Sequence, residues 1–231
     1  MNKLSSLSIF FPCLNDAKSI PFLLKQTYQI LPKITSNFEV IIIDDGSTDN
    51  TKEVLTKLRT KYKNLRTVRN KKPSGYGGAL ISGFKNAKKE WVFYTDGDGQ
   101  YDPAELIKLV GELKGGIDGV NGYKLSREDS IIRKVLSFIY NQALRALYSL
   151  PIRDVDCDFR LIRRSKLAKI KLRSKSGGIC LELVMKLKQK GANFVETPIH
   201  HYPRLYGESK FFKLANLIRT LNDYARFSLY S

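Results

Sequence analysis

Histidine is almost missing from this sequence: there are two in 231 residues, adjacent at His200 and His201. On an extended segment their side chains diverge to opposite faces, and no Ser-His-Asp or Cys-His triad presents itself. Cysteine is scarce as well. Cys13, Cys157 and Cys180 are widely spaced and form no CxxC pair, which argues against a disulfide framework and a zinc site and suits a reducing compartment. Long hydrophobic runs are also lacking: no window approaches the roughly 20 apolar residues needed to cross a bilayer. The apolar stretch in MNKLSSLSIFF is too short for a signal peptide. The chain therefore reads as soluble or peripheral. No solenoid repeat, low-complexity tract or linker breaks it, so one α/β domain over 1–231 is expected.

Acidic residues are the next shortage. Forty Lys and Arg stand against 22 Asp and Glu, giving a net charge of +18 and a pI near 9.8. Such a surface attracts nucleic acid, anionic lipid headgroups or phosphorylated substrates, or simply keeps the protein soluble. Charge alone does not choose among these.

The acidic residues that are present concentrate where strands end. Residues 7–11, 39–43 and 91–95 are short apolar runs that read as buried parallel strands; LRTV (65–68), DGVNGY (118–123) and FVETPI are further strands. Helical spacing is found over 17–31, after Asp49, over 79–87, from Pro103 to about 113, over 130–150, over 180–190 and over 211–230. DVDCDFRLIRR reads as a turn into a short strand. Alternating strands and helices imply a largely parallel, doubly wound sheet. Its carboxyl ends form one ligand-binding rim, onto which PCLND (12–16), DDGSTD (44–49) and DGDGQYD (96–102) all open.

Asp96-Gly97-Asp98-Gly99-Gln100 carries the sharpest chemistry. A hard divalent ion is held by one or two carboxylates plus phosphate oxygens, and the glycines let the chain turn tightly; the plain alternative is an Asp-Gly turn capping the next helix. The rim context favours a Mg²⁺ or Mn²⁺ site for a diphosphate-bearing substrate. Asp44 can accept hydrogen bonds from a nucleobase or ribose, whereas Asp49 and Thr51 also suit a helix N-terminus. The loop Ser74–Gly78 is either a close backbone passage beside the nucleotide, at Gly75, or an ordinary loop. Lys124, Arg127, Arg133, Arg204 and Lys210 form a looser cationic set, with Arg133 and Ser137 one helical turn apart. The helices over 130–150 and 211–230 have broad apolar faces that either pack on the core or lie on a membrane, edged by basic residues.

These blocks, in this order, resemble the family 2 glycosyltransferases of GT-A fold, and within them the dolichyl-phosphate mannose synthase-like, polyprenyl-phosphate glycosyltransferase group. The resemblance runs from about residue 7 to 212 through PCLND, IIIDDGSTDNT, GYGGALISGF, YTDGDGQYDP, GYKLSRED, RKVLS, DVDCDFRLIRR and ETPIHHYPRLYGESK. It implies a Rossmann-like, mostly parallel sheet with helices on both faces. It places Pro12, Leu14, Asp16, Asp44, Gly75 and Asp96 at the nucleotide, and Asp96, Asp98 and Gln100 at the metal. Lys124, Arg133, Ser137 and Lys210 would hold the acceptor phosphate, with Asp98, Arg133 and Arg204 carrying the catalysis. Where the family has an aromatic, a Glu and an Arg, this chain has Leu14, Asp16 and Lys124. DVDCDFR replaces a more common small-residue turn, leaving Asp156 and Asp158 as candidate sugar or acceptor contacts.

The implied reaction moves a hexosyl unit from a nucleotide-diphosphate sugar, GDP-mannose or a UDP-sugar, to a polyprenyl or dolichyl monophosphate with inversion. A phosphate monoester has a second pKa of about 6, so the nucleophile is already ionised and no catalytic histidine is needed. The expected partners are that donor, the lipid acceptor, a membrane surface and a small anchoring subunit, with no nucleic acid; the expected location is the cytoplasmic face of a membrane. Two rivals remain: a family 2 enzyme acting on a glycan hydroxyl, for which Asp156, Asp158 or Glu182 would serve as base, and a non-catalytic nucleic-acid-binding protein.

Overall fold

The computed structural model describes residues 3–125, 131–204 and 214–228. β1 (Leu7–Cys13), β2 (Phe38–Asp44) and β4 (Trp91–Thr95) are buried along nearly their whole length, because helices cover both faces of the sheet. One face holds Ile9, Phe11, Ile42 and Phe93 against Leu23, Leu24 and Leu31 of α1 (Ile20–Ile34). The other holds Phe10, Ile41, Val92 and Tyr94, with Leu80 of α3 (Tyr76–Asn86) and Leu183 of α7 (Ile179–Gln189) in the same core.

The described residues form a seven-stranded sheet in the order β3-β2-β1-β4-β6-β5-β7, completed by β3 (Leu65–Arg69), β5 (Gly119–Lys124), β6 (Phe159–Arg163) and β7 (Phe194–Ile199). α2 (Thr51–Lys61) connects β2 to β3. The sheet is mostly parallel, as expected, but β6 runs antiparallel to both β4 and β5. Apolar periodicity carries no direction, so the sequence could not reveal this. The cause is the route of the chain. After α5 (Ile131–Tyr148), the turn before β6 lies beside β5, where the Asp154 carbonyl accepts from Asn121 Nδ2 at 3.0 Å. β6 therefore begins at the rim instead of ending there.

Helix boundaries differ from the sequence reading where capping chemistry intervenes. α1 starts at Ile20 because the amides of Ser19 and Ile20 both donate to the Asp16 carbonyl. α3 starts at Tyr76, so half of the glycine-rich loop is its first turn. The helix expected from Pro103 is a 3-10 turn, Pro103–Glu105, capped by the Asp102 side chain, followed by α4 (Leu106–Gly111). The short α6 (Arg164–Leu167) was not foreseen, and α8 (Leu214–Ser228) ends the described chain.

α5 and α8 divide their apolar residues. Leu144 is buried, and Tyr140, Tyr148, Tyr224 and Phe227 pack against the core. Phe138, Ile139, Leu147, Ile218 and Leu221 face solvent. The core-packing reading thus applies to one face of each helix, and the other face is exposed.

Candidate active site

Strand pairing brings the loops after β1, β2 and β4 together. Asn15 sits at φ 64°, a conformation that asparagine tolerates better than most residues. From there its Oδ1 accepts from the Thr48 amide at 2.8 Å, and its own amide donates to Ser47 Oγ at 2.9 Å. Asp44, 2% exposed, accepts from the Ser47 amide at 2.8 Å and pairs with Arg69 at 3.2 Å. Asp45 accepts from the Ser74 and Gly75 amides, the Ser74 hydroxyl and Asn70 Nδ2.

The β4 loop is locked onto the β1 loop. The Gly97 amide donates to the Pro12 carbonyl at 3.2 Å, and Ser19 Oγ donates to the Gly97 carbonyl at 2.6 Å. A Cβ on Gly97 would lie 2.5 Å from the Pro12 carbonyl, so only glycine permits this approach. Asp16 Oδ2 accepts from the Leu14 amide at 2.8 Å. Burial raises the Asp16 carboxyl to about 6; the Leu14 amide opposes this and the Asp98 charge adds to it. Asp96 accepts from Tyr76 OH at 2.8 Å and is pushed well above the ordinary range by burial, then by Asp158 and Asp98. Asp98 forms an ion pair with Arg204. Gln100 joins the segment after β7, its carbonyl accepting from the Tyr202 amide at 2.8 Å and its Nε2 donating to the Tyr202 carbonyl at 3.1 Å.

The third part of the rim is the turn before β6. Asn141 of α5 accepts from the Val155 amide at 3.0 Å, and its Nδ2 donates to the carbonyl of half-buried Ser137 at 3.0 Å. Lys124 Nζ donates to the Asp156 carbonyl at 3.0 Å and lies 3.7 Å from Asp154. The Asp156 carboxyl is raised to about 6 by burial, with Lys124 opposing and Asp154 and Asp158 adding. Beneath the turn Arg160 is fully buried; its guanidinium donates to Asn121, to Tyr94 OH at 3.0 Å and to the Val155 carbonyl.

Of the residues singled out in the sequence, Pro12, Asp16, Asp96 and Asp98 meet at one point with Arg204, and Leu14, Asp44 and Gln100 border it. Lys124 and Ser137 stand at the β5–β6 end. Lys210 and Arg127 lie outside the described residues, as does the side chain of Arg133. Two of the positions singled out in the sequence are engaged by neighbouring protein groups. Gly75, at φ 81°, does make a close backbone passage, but against Lys175, whose carbonyl would lie 2.5 Å from an added Cβ. Its amide is committed to Asp45. Glu182 is not a poised base: its carboxylate accepts from the Arg173 and Ser174 amides and pairs with Lys186.

Sequence reasoning missed Asn15, Asp45, Tyr76, Tyr94 and Arg160. A lone arginine in the apolar run FRLI was the available signal for Arg160, since an unpaired charge is not stable there. Asp45 carried no signal that distinguished it from Asp44.

The gathered carboxylates of Asp16, Asp96 and Asp98 suit cation-assisted chemistry on a phosphorylated ligand. Among the described residues no three His, Cys, Asp or Glu side chains are placed to hold a metal by themselves. Mg²⁺ needs no such cage, since it accepts one or two carboxylates and takes its other oxygens from phosphate and water; Asp96 and Asp98 fit that donor set. Among the described residues no helix is long and apolar enough to cross a membrane.

Comparison with known proteins agrees with this geometry. The chain is 28% identical over 222 residues to an undecaprenyl-phosphate 4-deoxy-4-formamido-L-arabinose transferase of Yersinia enterocolitica, covering 95% of this chain and 67% of that protein. It is 27% identical over 221 residues to a protein of the same name from Salmonella choleraesuis, covering 94% and 67%. Among solved structures, glucosyl-3-phosphoglycerate synthase from Mycobacterium tuberculosis, crystallised with Mn²⁺, UDP and phosphoglyceric acid, superposes with a TM-score of 0.74 at 17% identity, over 96% of this chain and 78% of that one. The same enzyme with Mg²⁺ and UDP gives 0.71 at 16%, again over 96% and 78%. At that identity the likeness is one of fold, and the fold is GT-A. The family model "Glycosyl transferase family 2" matches residues 8–171, a span that contains each of the three acidic rim loops and the turn before β6. By that match this chain belongs to glycosyl transferase family 2.

Proposed function

We propose that the protein moves a glycosyl unit from a nucleotide-diphosphate sugar to a polyprenyl monophosphate, inverting the anomeric centre. The observation that carries this is the convergence of Asp16, Asp96, Asp98 and Arg204 at the rim where β1 and β4 end. The names of the curated relatives, which specify undecaprenyl phosphate, support the choice of acceptor.

In this reading the β1 and β2 loops, with Pro12, Leu14, Asp16 and Asp44, receive the nucleotide. Asp96 and Asp98, bordered by Gln100, hold Mg²⁺ or Mn²⁺, which when bound offsets the charge of the departing diphosphate. Arg204 adds a second positive group there. Lys124, Arg133, Ser137 and Lys210 receive the acceptor phosphate, whose charge makes a protein base unnecessary. Of the three bases the glycan-hydroxyl reading would use, Glu182 is held by the Arg173 and Ser174 amides and Lys186, whereas Asp156 and Asp158 stand in the turn before β6. The exposed apolar residues of α5 and α8, with Arg145, Arg219 and Arg226 exposed beside them, rest on the cytoplasmic surface of a membrane, with or without a small anchoring subunit.

The test is incubation of the protein with a panel of nucleotide sugars and a short polyprenyl phosphate, with and without Mn²⁺ or Mg²⁺. Metal-dependent product from one donor is expected. Product on a glycan hydroxyl but not on the lipid phosphate, or undiminished turnover by Asp98→Ala, overturns the proposal.

A further inference from the structure

Asp158 belongs neither to the DGD loop nor to the cationic set, yet the fold delivers it between them. β6 begins at the rim, and Phe159 pairs with Thr95, so the residue before β6 stands beside the residue after β4. Asp158 and Asp96 are consequently neighbours, and each carries its own tyrosine: Tyr76 OH donates to Asp96 at 2.8 Å and Tyr94 OH to Asp158 at 3.4 Å.

The two oxygens of Asp158 are treated differently. Oδ1 accepts from Tyr94 OH and from the Cys180 thiol at 3.2 Å. Oδ2 accepts from no described residue, and it is not among the buried polar atoms left without a partner. Asp158 keeps 8% of its surface exposed where β6 begins at the rim. Arg160 fixes the arrangement from below. Its guanidinium donates to Tyr94 OH at 3.0 Å, and through the Val155 carbonyl it braces the turn itself. A carboxylate beside Asp96 is stable in that position because a fully buried cation lies beneath it.

An ionised carboxylate accepts hydrogen bonds and donates none. Phosphate oxygens also only accept, so without a bridging cation neither the diphosphate nor a phosphate acceptor bonds to Oδ2. The nucleoside is expected on the β1–β2 side. What remains is the sugar ring.

We propose that Asp158 is a specificity-determining residue, its carboxylate accepting a hydrogen bond from a hydroxyl or amide N–H on the donor's sugar. This inference rests on the transferase reading given above and names the part of the donor that the turn before β6 recognises. Arg160 and Tyr94 are positioning residues that act through it.

The test compares the wild type with Asp158→Ala and the size-matched Asp158→Asn on nucleotide sugars that each lack one ring hydroxyl or amide. Folding is checked by near-ultraviolet circular dichroism. For Asp158→Ala we expect kcat/KM on the preferred donor to fall about 100-fold, while the deoxy donor that the wild type rejects most changes less than about 3-fold, so that discrimination collapses. Titration of UDP and GDP in the presence of Mn²⁺ is expected to give dissociation constants within about 2-fold of wild type, since no contact to nucleotide or metal is removed. An equal loss across all donors, or weakened Mn²⁺-dependent nucleotide binding in both variants, overturns the inference by making Asp158 structural or metal-associated. A wild type that uses no nucleotide sugar removes the transferase reading and this inference together; turnover with unaltered discrimination in both variants removes this inference alone.

Discussion

The two halves of the rim differ in how they use their charged side chains. At the β1–β2–β4 end, side chains are spent on backbone: Asn15 on Thr48, Asp44 on Ser47, Asp45 on Ser74 and Gly75, Ser19 on Gly97. Such bonds fix loop shape whether or not a ligand is bound, and pre-organisation lowers the entropy lost on binding. At the β5–β6–β7 end, opposite charges satisfy one another: Arg204 pairs with Asp98, and Lys124 lies against Asp154. A buried ion pair is costly to break unless another charge takes the lost partner's place, and in the proposed reading an incoming phosphate or cation does so. The first half is a mould and the second a set of contacts to be traded.

The sharpest way to break that contrast is at its seam. Asp98→Ala removes a carboxylate proposed for the metal and, with it, the Asp98–Arg204 ion pair. We expect kcat to fall about 1,000-fold or more, measured as product formed at saturating donor and Mn²⁺, with the thermal unfolding midpoint little changed. Arg204→Ala comes next: a loss in kcat of about 100-fold, a raised KM for lipid phosphate, and a KM for donor within about 2-fold of wild type. If the donor KM rises instead, Arg204 belongs to the mould.

Asp45→Ala tests the mould directly. It leaves the Ser74 and Gly75 amides without their acceptor, at a cost of about 2–3 kcal/mol in urea unfolding, and we expect weaker nucleotide binding with an unaltered KM for acceptor.

The smallest effect belongs to a control at the far end of the sheet. Burial acts to raise the Glu39 carboxyl, but hydrogen bonds from Ser8, the Lys88 amide and Arg66 outweigh it and hold the group below its usual value. A carboxyl whose folded pKa is depressed adds stability above its unfolded pKa and loses it as pH falls through the folded one. Glu39→Gln is expected to lower stability by about 1 kcal/mol at pH 7. That difference shrinks below pH 4.5 in unfolding curves taken across the acid range, with donor and acceptor KM unchanged.

The mould was more legible in the sequence than the traded contacts, for a physical reason. Ile41, Ile42 and Ile43, like Trp91–Thr95, announce a strand covered on both faces, and an acidic turn directly after such a strand must lie at its carboxyl end. Asp44, Asp96 and Asp98 could therefore be placed from local sequence. Direction and long-range pairing have no such local signature. β6 reads like any apolar strand, so its reversal, and with it the position of Asp158 beside Asp96, appeared only in three dimensions. Similarly, DDGS does not say which aspartate will bond to residues 74 and 75, because that depends on how closely a distant loop approaches. The apolar faces of α5 and α8 were visible as stripes, but periodicity could not tell Leu144, which is buried, from Leu147, which is exposed.

The reversed strand has a corollary for protein engineering. The stretch 150–158 is tethered along its length: Asn121 and Asn141 hold Asp154 and Val155, Lys124 holds the Asp156 carbonyl, and Ile152, Val155 and Cys157 are fully buried. Those buried residues fasten the turn to the core. If Asp158 selects the sugar as proposed, exchanging that one side chain, with the apolar residues around it kept, is the direct route to redesigned donor choice.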